Sequence, residues 1–317
     1  MFNAQDRLWL RQQYGKRVRF DEPMAKHTSF KIGGPADAFI QPASEIKLKT
    51  ILKWARQKKI PYILVGGGTN LLVRDGGIRG LVIHLGALAA DVRWQQHQER
   101  VKVAAGAGVP TRRICSLALK QGWQGMNFAL GIPGTLGGAI CMNAGTAHGT
   151  IADVIDTVAV MTATGEKVNI RREAMRYQYR NLQMPFEVDQ SAPVALISAQ
   201  LNLARADREK VRQQARRWMR ERSRRQPSWR PSAGCFFKNP SDDMPAGRLI
   251  DEAGLKGSQV GGARVSLRHA NYIVNCGGAS AADVLTLAAK IQETVKERFG
   301  TDLAPEVRIV GQEKTST

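Results

Sequence analysis

Cysteine is scarce in the 317 residues, with four thiols at positions 115, 141, 235 and 276. No two form a C-x-x-C pair and no histidine stands at ligand spacing from any of them, which argues against a zinc site or a disulfide framework. Long apolar runs are also missing. None approaches the roughly 18 residues that would cross a bilayer, and Met1 to Phe20 mixes charges with apolar residues where a secretory signal would have a continuous apolar stretch. The expectation is a cytoplasmic protein without a membrane partner. Acid is scarce as well: 27 Asp and Glu face 47 Lys and Arg, for a net charge of +20. Such a balance attracts polyanions, either nucleic acid or phosphorylated small molecules. A basic tract with aromatics interleaved in strand spacing, which a single-strand binder uses for stacking, is not read in the chain, so nucleic acid is not the expected partner.

What is present fits two or three domains, and 43% apolar residues supply a substantial core. Leu48, Ile51, Leu52 and Ala55 fall on one face of a helix from Ser44 to Lys59, which Pro61 ends. Tyr62 to Val65 reads as a buried strand running into three glycines, and Leu81 to Ile83 as a second apolar run. A strand at Val101 to Ala105 precedes a helix opened by Pro110 and Thr111, with Ile114, Leu117 and Ala118 inward. Val154 to Ile170 reads as a hairpin turning at Thr164-Gly165, and Val194 to Leu201 as a further strand. Ten basic residues against three acids lie between Arg205 and Arg225. Val211, Ala215, Trp218 and Met219 recur there at helical spacing, so the expectation is a helix with one packed stripe and a solvated basic face. Pro227 and Pro231 mark a boundary. A short helix from Ala246 to Ala253 and a strand near Tyr272 to Asn275 precede a long helix, Ser280 to Phe299. Ser280 suits its N-cap and Gly300 its stop. Strands and helices mix without a βα rhythm, which predicts an α+β fold.

Two glycine clusters carry the first chemical signal. Gly66-Gly67-Gly68-Thr69-Asn70-Leu71 directly follows a strand, and successive glycines there expose backbone N–H groups that suit a pyrophosphate. Leu71 stands where a Rossmann fingerprint needs its third glycine, and no Gly-Lys-Ser/Thr makes a Walker loop. The second cluster, Gly131 to Ala139, is followed by Asn143-Ala-Gly145. Two such segments point to one extended ligand with a pyrophosphate and a flat ring, which describes FAD.

The pair Gly-Gly-Gly-Thr-Asn-Leu-Leu at 66–72 and Gly-Ile-Pro-Gly-Thr-Leu-Gly-Gly at 131–138 resembles the flavin-binding pair of the UDP-N-acetylenolpyruvoylglucosamine reductase family. His27 to Pro35, Tyr179-Arg180, Pro231 to Pro240, Ala246 to Ile250, His269 to Asn275 and Pro305 to Gly311 also resemble that family, in order along nearly the whole chain. The short length after Tyr179-Arg180 is similar to the type II members. The resemblance implies a two-part FAD-binding module of the vanillyl-alcohol-oxidase type over 1–80 and 81–205, with a substrate-binding domain over 206–317 whose last strand returns to the active site. It places the cofactor on Gly66, Gly67, Gly68, Thr69, Asn70 and Leu71, and on Ile132, Pro133, Gly134, Thr135, Gly137, Gly138 and Ala139, with Asn143 and Gly145. Neither His nor Cys occurs in the first loop, so the flavin is expected to be non-covalent.

The reaction so implied passes hydride from NADPH to FAD, then to the double bond of UDP-N-acetylglucosamine enolpyruvate, and finally protonates the adjacent carbon. An enolate charge needs a cation, a hydrogen-bond donor and a proton source. By resemblance Arg180 is the cation, able to grip a planar carboxylate bidentately. Glu306 is the acid, on a strand where Glu306 and Arg308 share one face, and its pKa would be raised beside an enolate. Cys235 stands where the family commonly has Ser; a thiol, with its reference pKa near 8.5, is the stronger acid and remains a workable proton donor. Tyr179, Arg222, Lys238, Asn239 and Arg248 are candidates for the substrate and its diphosphate. His269 and Asn271 suit a supporting role, no metal is expected, and a monomer is the favoured state.

Overall fold

The computed structural model describes residues 2–88, 91–183, 193–227, 230–241 and 243–314. The chain divides into two compact units. The first comprises Met1–Arg19, Ala38–Gly67 and Gly80–Glu221; the second comprises Phe20–Asp37, Gly68–Arg79 and Arg222–Thr317. This differs from three consecutive segments divided near 80 and 205. Short stretches early in the chain join the C-terminal unit through long-range pairing, such as Leu72 opposite Ile309, and no local composition shift records such pairing.

In the first unit, Leu48, Ile51, Leu52 and Ala55 are all buried along the helix Glu45–Gln57. Ser44 caps it, accepting a hydrogen bond from Lys47 N at 3.3 Å. The strand Tyr62–Val65 then pairs in parallel with Ile78–His84, Tyr62 opposite Leu81 and Val65 opposite His84. Only Val65 of that strand is fully buried, less than its unbroken apolar run predicts.

The main sheet of this unit has antiparallel strands in the order Lys167–Arg171, Ile155–Met161, Ala195–Arg205, Arg100–Gly106, Val92–His97. Its hairpin turns where expected, with Gly165 at φ 76°. Val103, Val158 and Leu201 point into a core that also takes Ile114, Cys115 and Ala118 from the helix Thr111–Gln121. Leu117 of that helix is only half-buried. The basic helix Arg208–Arg225 packs through Val211, Ala215 and Trp218, positions four and then three residues apart. Met219, expected on that stripe, is 40% exposed. One residue on from Trp218, it is rotated about 100° out of the contact.

The second unit is built on the antiparallel strands Gln259–Val260, Ala263–Val265 and Ile273–Asn275. Their inward residues share a core with the helices Ala246–Glu252 and Ala281–Phe299. Val284, Leu287, Ala288, Ile291 and Val295 form the buried stripe of the longer helix. Ser280 and Asp283 close a reciprocal capping box at its start, and Gly300 ends it in the left-handed conformation. Asp75, 206 residues upstream, adds a second cap: its carboxylate accepts from Ala281 N at 2.8 Å and from Ala282 N at 3.0 Å. Leu71–Val73 pairs in parallel with Arg308–Val310. Among the described residues no helix is long and apolar enough to cross a membrane.

Candidate active site

The parallel strand Tyr62–Val65 delivers the chain into the first glycine loop. A Cβ at Gly66 would lie 2.4 Å from Thr135 Oγ1, so a side chain is excluded there and the two glycine clusters touch. Thr135 in turn caps the short helix Leu136–Cys141, accepting from Gly138 N at 3.4 Å. Gly137 N donates to Ala107 O at 2.8 Å, and a Cβ on Gly137 would sit 2.9 Å from that of Ala107. Gly66 and Gly137 therefore let chain approach chain. Gly138 is different: the nearest atom to its imagined Cβ is 3.6 Å away, which leaves that face of the turn open. Residues 66–72 and 131–145 contain no Asp or Glu, and offer main-chain, hydroxyl and amide donors with the Cys141 thiol. That donor set fits a pyrophosphate-bearing dinucleotide.

The second cluster is tied to the hairpin that carries Tyr179 and Arg180. Asn143 Nδ2 donates to Gln178 O at 3.2 Å, and Asn143 Oδ1 accepts from Ala152 N at 3.4 Å. Arg180 Nη1 reaches Gly145 O at 3.5 Å, while its guanidinium lies 5.1 Å from the centre of the Tyr179 ring. Tyr179 is 52% exposed. Arg180 itself has φ 57°, a left-handed conformation that costs a side-chain-bearing residue roughly 1–2 kcal/mol. His148 stacks flat on Trp218 of the basic helix, 4.1 Å apart at 2°, so this helix packs on the hairpin leaving the glycine cluster.

In the second unit the chain around Cys235 is clamped on both sides. Phe236 N donates to Asn271 O at 2.8 Å, Phe237 N donates to Asn271 Oδ1 at 2.9 Å, and Asn271 Nδ2 returns a bond to Phe237 O at 2.8 Å. On the other side Glu306 N donates to Phe236 O and Lys238 N to Ala304 O, both at 2.8 Å. Phe236 and Phe237 are buried and meet edge to face, which anchors this stretch in the core. Glu306 lies just ahead of the strand Arg308–Val310 rather than in it. Val307 is nonetheless buried while Arg308 is exposed, so the alternation begins one residue early.

Burial pushes the Tyr272 phenol well above the usual range; the charges of Cys235 and Glu306 and a side-chain hydrogen bond with Cys235 add to this, and Arg222 opposes it. Burial, with the Lys256 and Arg225 charges, holds the nearby His269 below the ordinary imidazole value. Asn271 N accordingly donates to His269 Nδ1, at 3.3 Å.

The remaining candidates are engaged locally. Asn239 Oδ1 accepts from Ala246 N at 3.1 Å, capping the helix Ala246–Glu252. Arg248 Nε donates to Glu252 Oε1 at 2.7 Å on the exposed face of that helix. Lys238 is half-buried beside the Cys235 stretch. Two residues of the quoted motifs have structural work that the pattern did not reveal. Ser29 bridges the first glycine loop and the Cys235 run, its N donating to Gly68 O at 3.1 Å and its hydroxyl to Ser232 O at 2.7 Å. Asn70 Nδ2 donates to Glu306 O at 3.1 Å. Tyr272 was read only as a strand residue, although it stands inside the quoted stretch His269 to Asn275. Among the described residues no group of three or more potential ligands could hold a metal ion.

Comparison with known proteins gives the family. Residues 36–171 match the FAD binding domain family, and residues 226–310 match the UDP-N-acetylenolpyruvoylglucosamine reductase C-terminal domain family. The chain is 42% identical over 312 residues to the UDP-N-acetylenolpyruvoylglucosamine reductase of Desulfosudis oleivorans, covering 96% of this chain and 98% of that one. It is 44% identical over 305 residues to the same-named protein of Geobacter metallireducens, covering 96% and 97%. The crystal structure of the reductase from Thermus caldophilus superposes with a TM-score of 0.74 at 33% identity, over 92% of this chain and 97% of that one.

Proposed function

The chain belongs to the UDP-N-acetylenolpyruvoylglucosamine reductase family, and from that membership we infer the task of each residue in the reaction. It is an FAD-dependent oxidoreductase that uses NADPH to reduce UDP-N-acetylglucosamine enolpyruvate to UDP-N-acetylmuramate, in peptidoglycan precursor synthesis. When bound, FAD supplies a hydride acceptor for NADPH and a hydride donor for the enolpyruvyl double bond.

In this reading the two glycine stretches serve the cofactor. Gly66 to Leu71 and Ile132 to Ala139 present main-chain donors to it, with Asn143 and Gly145 supporting the second stretch. The open face at Gly138 and the absence of acid from both stretches support that assignment. Arg180 binds the carboxylate of the substrate and stabilises the enolate formed as hydride arrives. Its left-handed backbone supports a functional rather than incidental place for this side chain. Tyr179, exposed beside it, contacts the substrate.

The second unit serves the substrate and the proton. Cys235 gives its thiol proton to the carbon next to the site of hydride addition, the thiolate taking a proton back from water. Glu306 donates a hydrogen bond from its protonated carboxyl to the enolate. Arg222 and Lys238 attract the diphosphate, whereas Asn239 and Arg248 shape the helix behind them. The observation that carries this reading is the bonding of the Cys235 stretch between two other quoted motifs: Phe236 N donates to Asn271 O and Glu306 N donates to Phe236 O, both at 2.8 Å. The enzyme acts as a monomer in the cytoplasm, where NADPH and nucleotide sugars are available.

An anaerobic absorption experiment tests the function directly. Flavin bands that bleach with NADPH and return on adding UDP-N-acetylglucosamine enolpyruvate are expected. Bands that bleach and do not return with this substrate would overturn the substrate assignment.

A further inference from the structure

The stretch His27 to Pro35 carries no part of the proposed chemistry, yet it forms the backing of the first glycine loop. Gly68 has φ 61°, and a Cβ there would lie 1.9 Å from the carbonyl oxygen of His27 and 3.2 Å from the Cα of Thr28. Main chain fills the space that a side chain would take, so Gly68 stands where residues 27 and 28 leave room for it. Ser29 N closes the contact by donating to Gly68 O at 3.1 Å. The backing is itself tied down. His27 N donates to Met24 O at 2.8 Å, at the end of the turn Met24–Lys26, and the buried hydroxyl of Thr28 donates to Ile32 O at 2.9 Å. A side-chain bond then crosses the turn: His27 Nε2 lies 2.8 Å from Oε1 of Glu22, which stands on the strand Val18–Pro23. A carboxylate only accepts, so Nε2 is the donor. The two side chains are 15% and 10% exposed, which shelters the bond from the water that weakens surface pairs.

We propose that Glu22 and His27 are positioning residues for the cofactor: their bond holds the His27 carbonyl against Gly68 and so aligns the main-chain donors of Gly68, Thr69 and Asn70 toward the flavin dinucleotide. The inference rests on the reading that this loop holds FAD. Both residues act through the main chain, the pair fixing the turn and the turn fixing the loop. Gly68 has no side chain with which to keep its own place, so the loop follows its backing wherever that moves. A loop already ordered before the ligand arrives pays little to bind it; a loop released from its backing pays that ordering cost out of the binding free energy. Loss of the pair therefore weakens FAD binding and leaves the chemistry of bound flavin as it was. The buried carboxylate is consistent with such a task, because a charge withdrawn from water is costly wherever it lacks a hydrogen-bonded partner.

The test reads the Kd for FAD from the flavin fluorescence released on diluting the full-length, flavin-loaded enzyme. Glu22→Leu and His27→Phe each remove one partner and keep much of its volume. Each should raise the Kd about tenfold, as for loss of a hydrogen bond to a charged group. The double variant should also stand near tenfold rather than near a hundredfold, because the two residues act through one bond. Glu22→Gln should remain within about threefold of the wild type, since its amide oxygen still accepts from Nε2. At saturating FAD, bleaching by NADPH should keep its rate in all four. Gly68→Ala checks the same contact from the other side and does not depend on the pair variants folding: its methyl would displace the His27 carbonyl, and FAD affinity should fall. Pair variants that lose thermal stability while holding FAD with wild-type affinity would overturn the proposal, leaving the bond a part of the fold alone. So would losses that multiply in the double variant, or wild-type affinity in Gly68→Ala. A wild-type protein that holds no FAD would instead remove the reading of the glycine loop, and the proposal with it.

Discussion

The carboxamide of Asn70 donates to the main-chain carbonyl of Glu306 at 3.1 Å, and Arg308 N returns a bond to Asn70 O at 3.0 Å. A residue of the first glycine motif thereby fixes the backbone of the proposed acid, 236 positions downstream. Asn70→Ala should cost about 1 kcal/mol of stability, the net worth of one such bond, and Asn70→Asp more, because an acceptor would then face a carbonyl. Urea unfolding and the rate of flavin reoxidation by substrate should fall together if this clamp places Glu306.

Cys235→Ser and Cys235→Ala separate acid chemistry from packing. Serine can still donate a proton and should leave measurable turnover. Alanine should lower the reoxidation rate by about 10²–10⁴, the usual worth of a positioned acid. Thiol reagents should inactivate the wild type and spare the serine variant. Equal turnover in the alanine variant and the wild type would remove Cys235 from the reaction.

Arg180→Ala and Glu306→Gln should keep their flavin yet reoxidise it with substrate roughly 10²–10³ times more slowly, the scale of losing one group that stabilises developing charge. Arg180→Gly adds a second readout. At φ 57° glycine is unstrained, so this variant should be more stable than Arg180→Ala by about 1 kcal/mol while equally inactive. Thermal unfolding of the two variants side by side checks it.

His269 has its pKa lowered by burial first and by Lys256 and Arg225 next. A base with a lowered folded pKa contributes stability that is complete above its unfolded value, near 6.5, and is lost as pH falls toward the folded one. Protonation also ends acceptance of the Asn271 N–H at Nδ1. Reoxidation by substrate should therefore weaken on the acid side before flavin is released, which stopped-flow traces between pH 5 and 7 would resolve.

At the start of the long helix the sign is the same for a different reason. The Asp283 carboxyl is held below its ordinary value by its hydrogen bond to the Ser280 backbone, with further donors from Gly262 N and the Ser280 hydroxyl. Its contribution is full above the unfolded pKa of 3.8 and disappears as pH falls through the lowered folded value. Ser280→Ala should cost about 1 kcal/mol at neutral pH. Asp283→Asn should destabilise at pH 7 and converge on the wild type in strong acid, as followed by urea unfolding at both conditions.

Much of this was legible from residues alone where the cause is local. Capping chemistry and a repeating apolar stripe placed the helix Ala281–Phe299 almost to the residue, and a Thr-Gly turn placed the hairpin at Gly165. Met219 was misassigned because a run of adjacent apolar residues does not say which of them faces the core. Asp75 lies in no motif or apolar stripe, yet its carboxylate caps a helix 206 residues away. Ser29 and Asn70 likewise hold distant carbonyls through side chains whose partners no periodicity names.

The sequence by itself determined the α+β class, the family and the flavin, because residue type and ordered motifs carry those properties directly. Only the tertiary structure decided how the chain divides, which helix caps arrive from afar, and that the stretch after Cys235 is bonded between Asn271 and Glu306. Those are products of packing: burying an apolar core obliges distant segments to share polar partners, and the free energy of that arrangement belongs to no single stretch of residues.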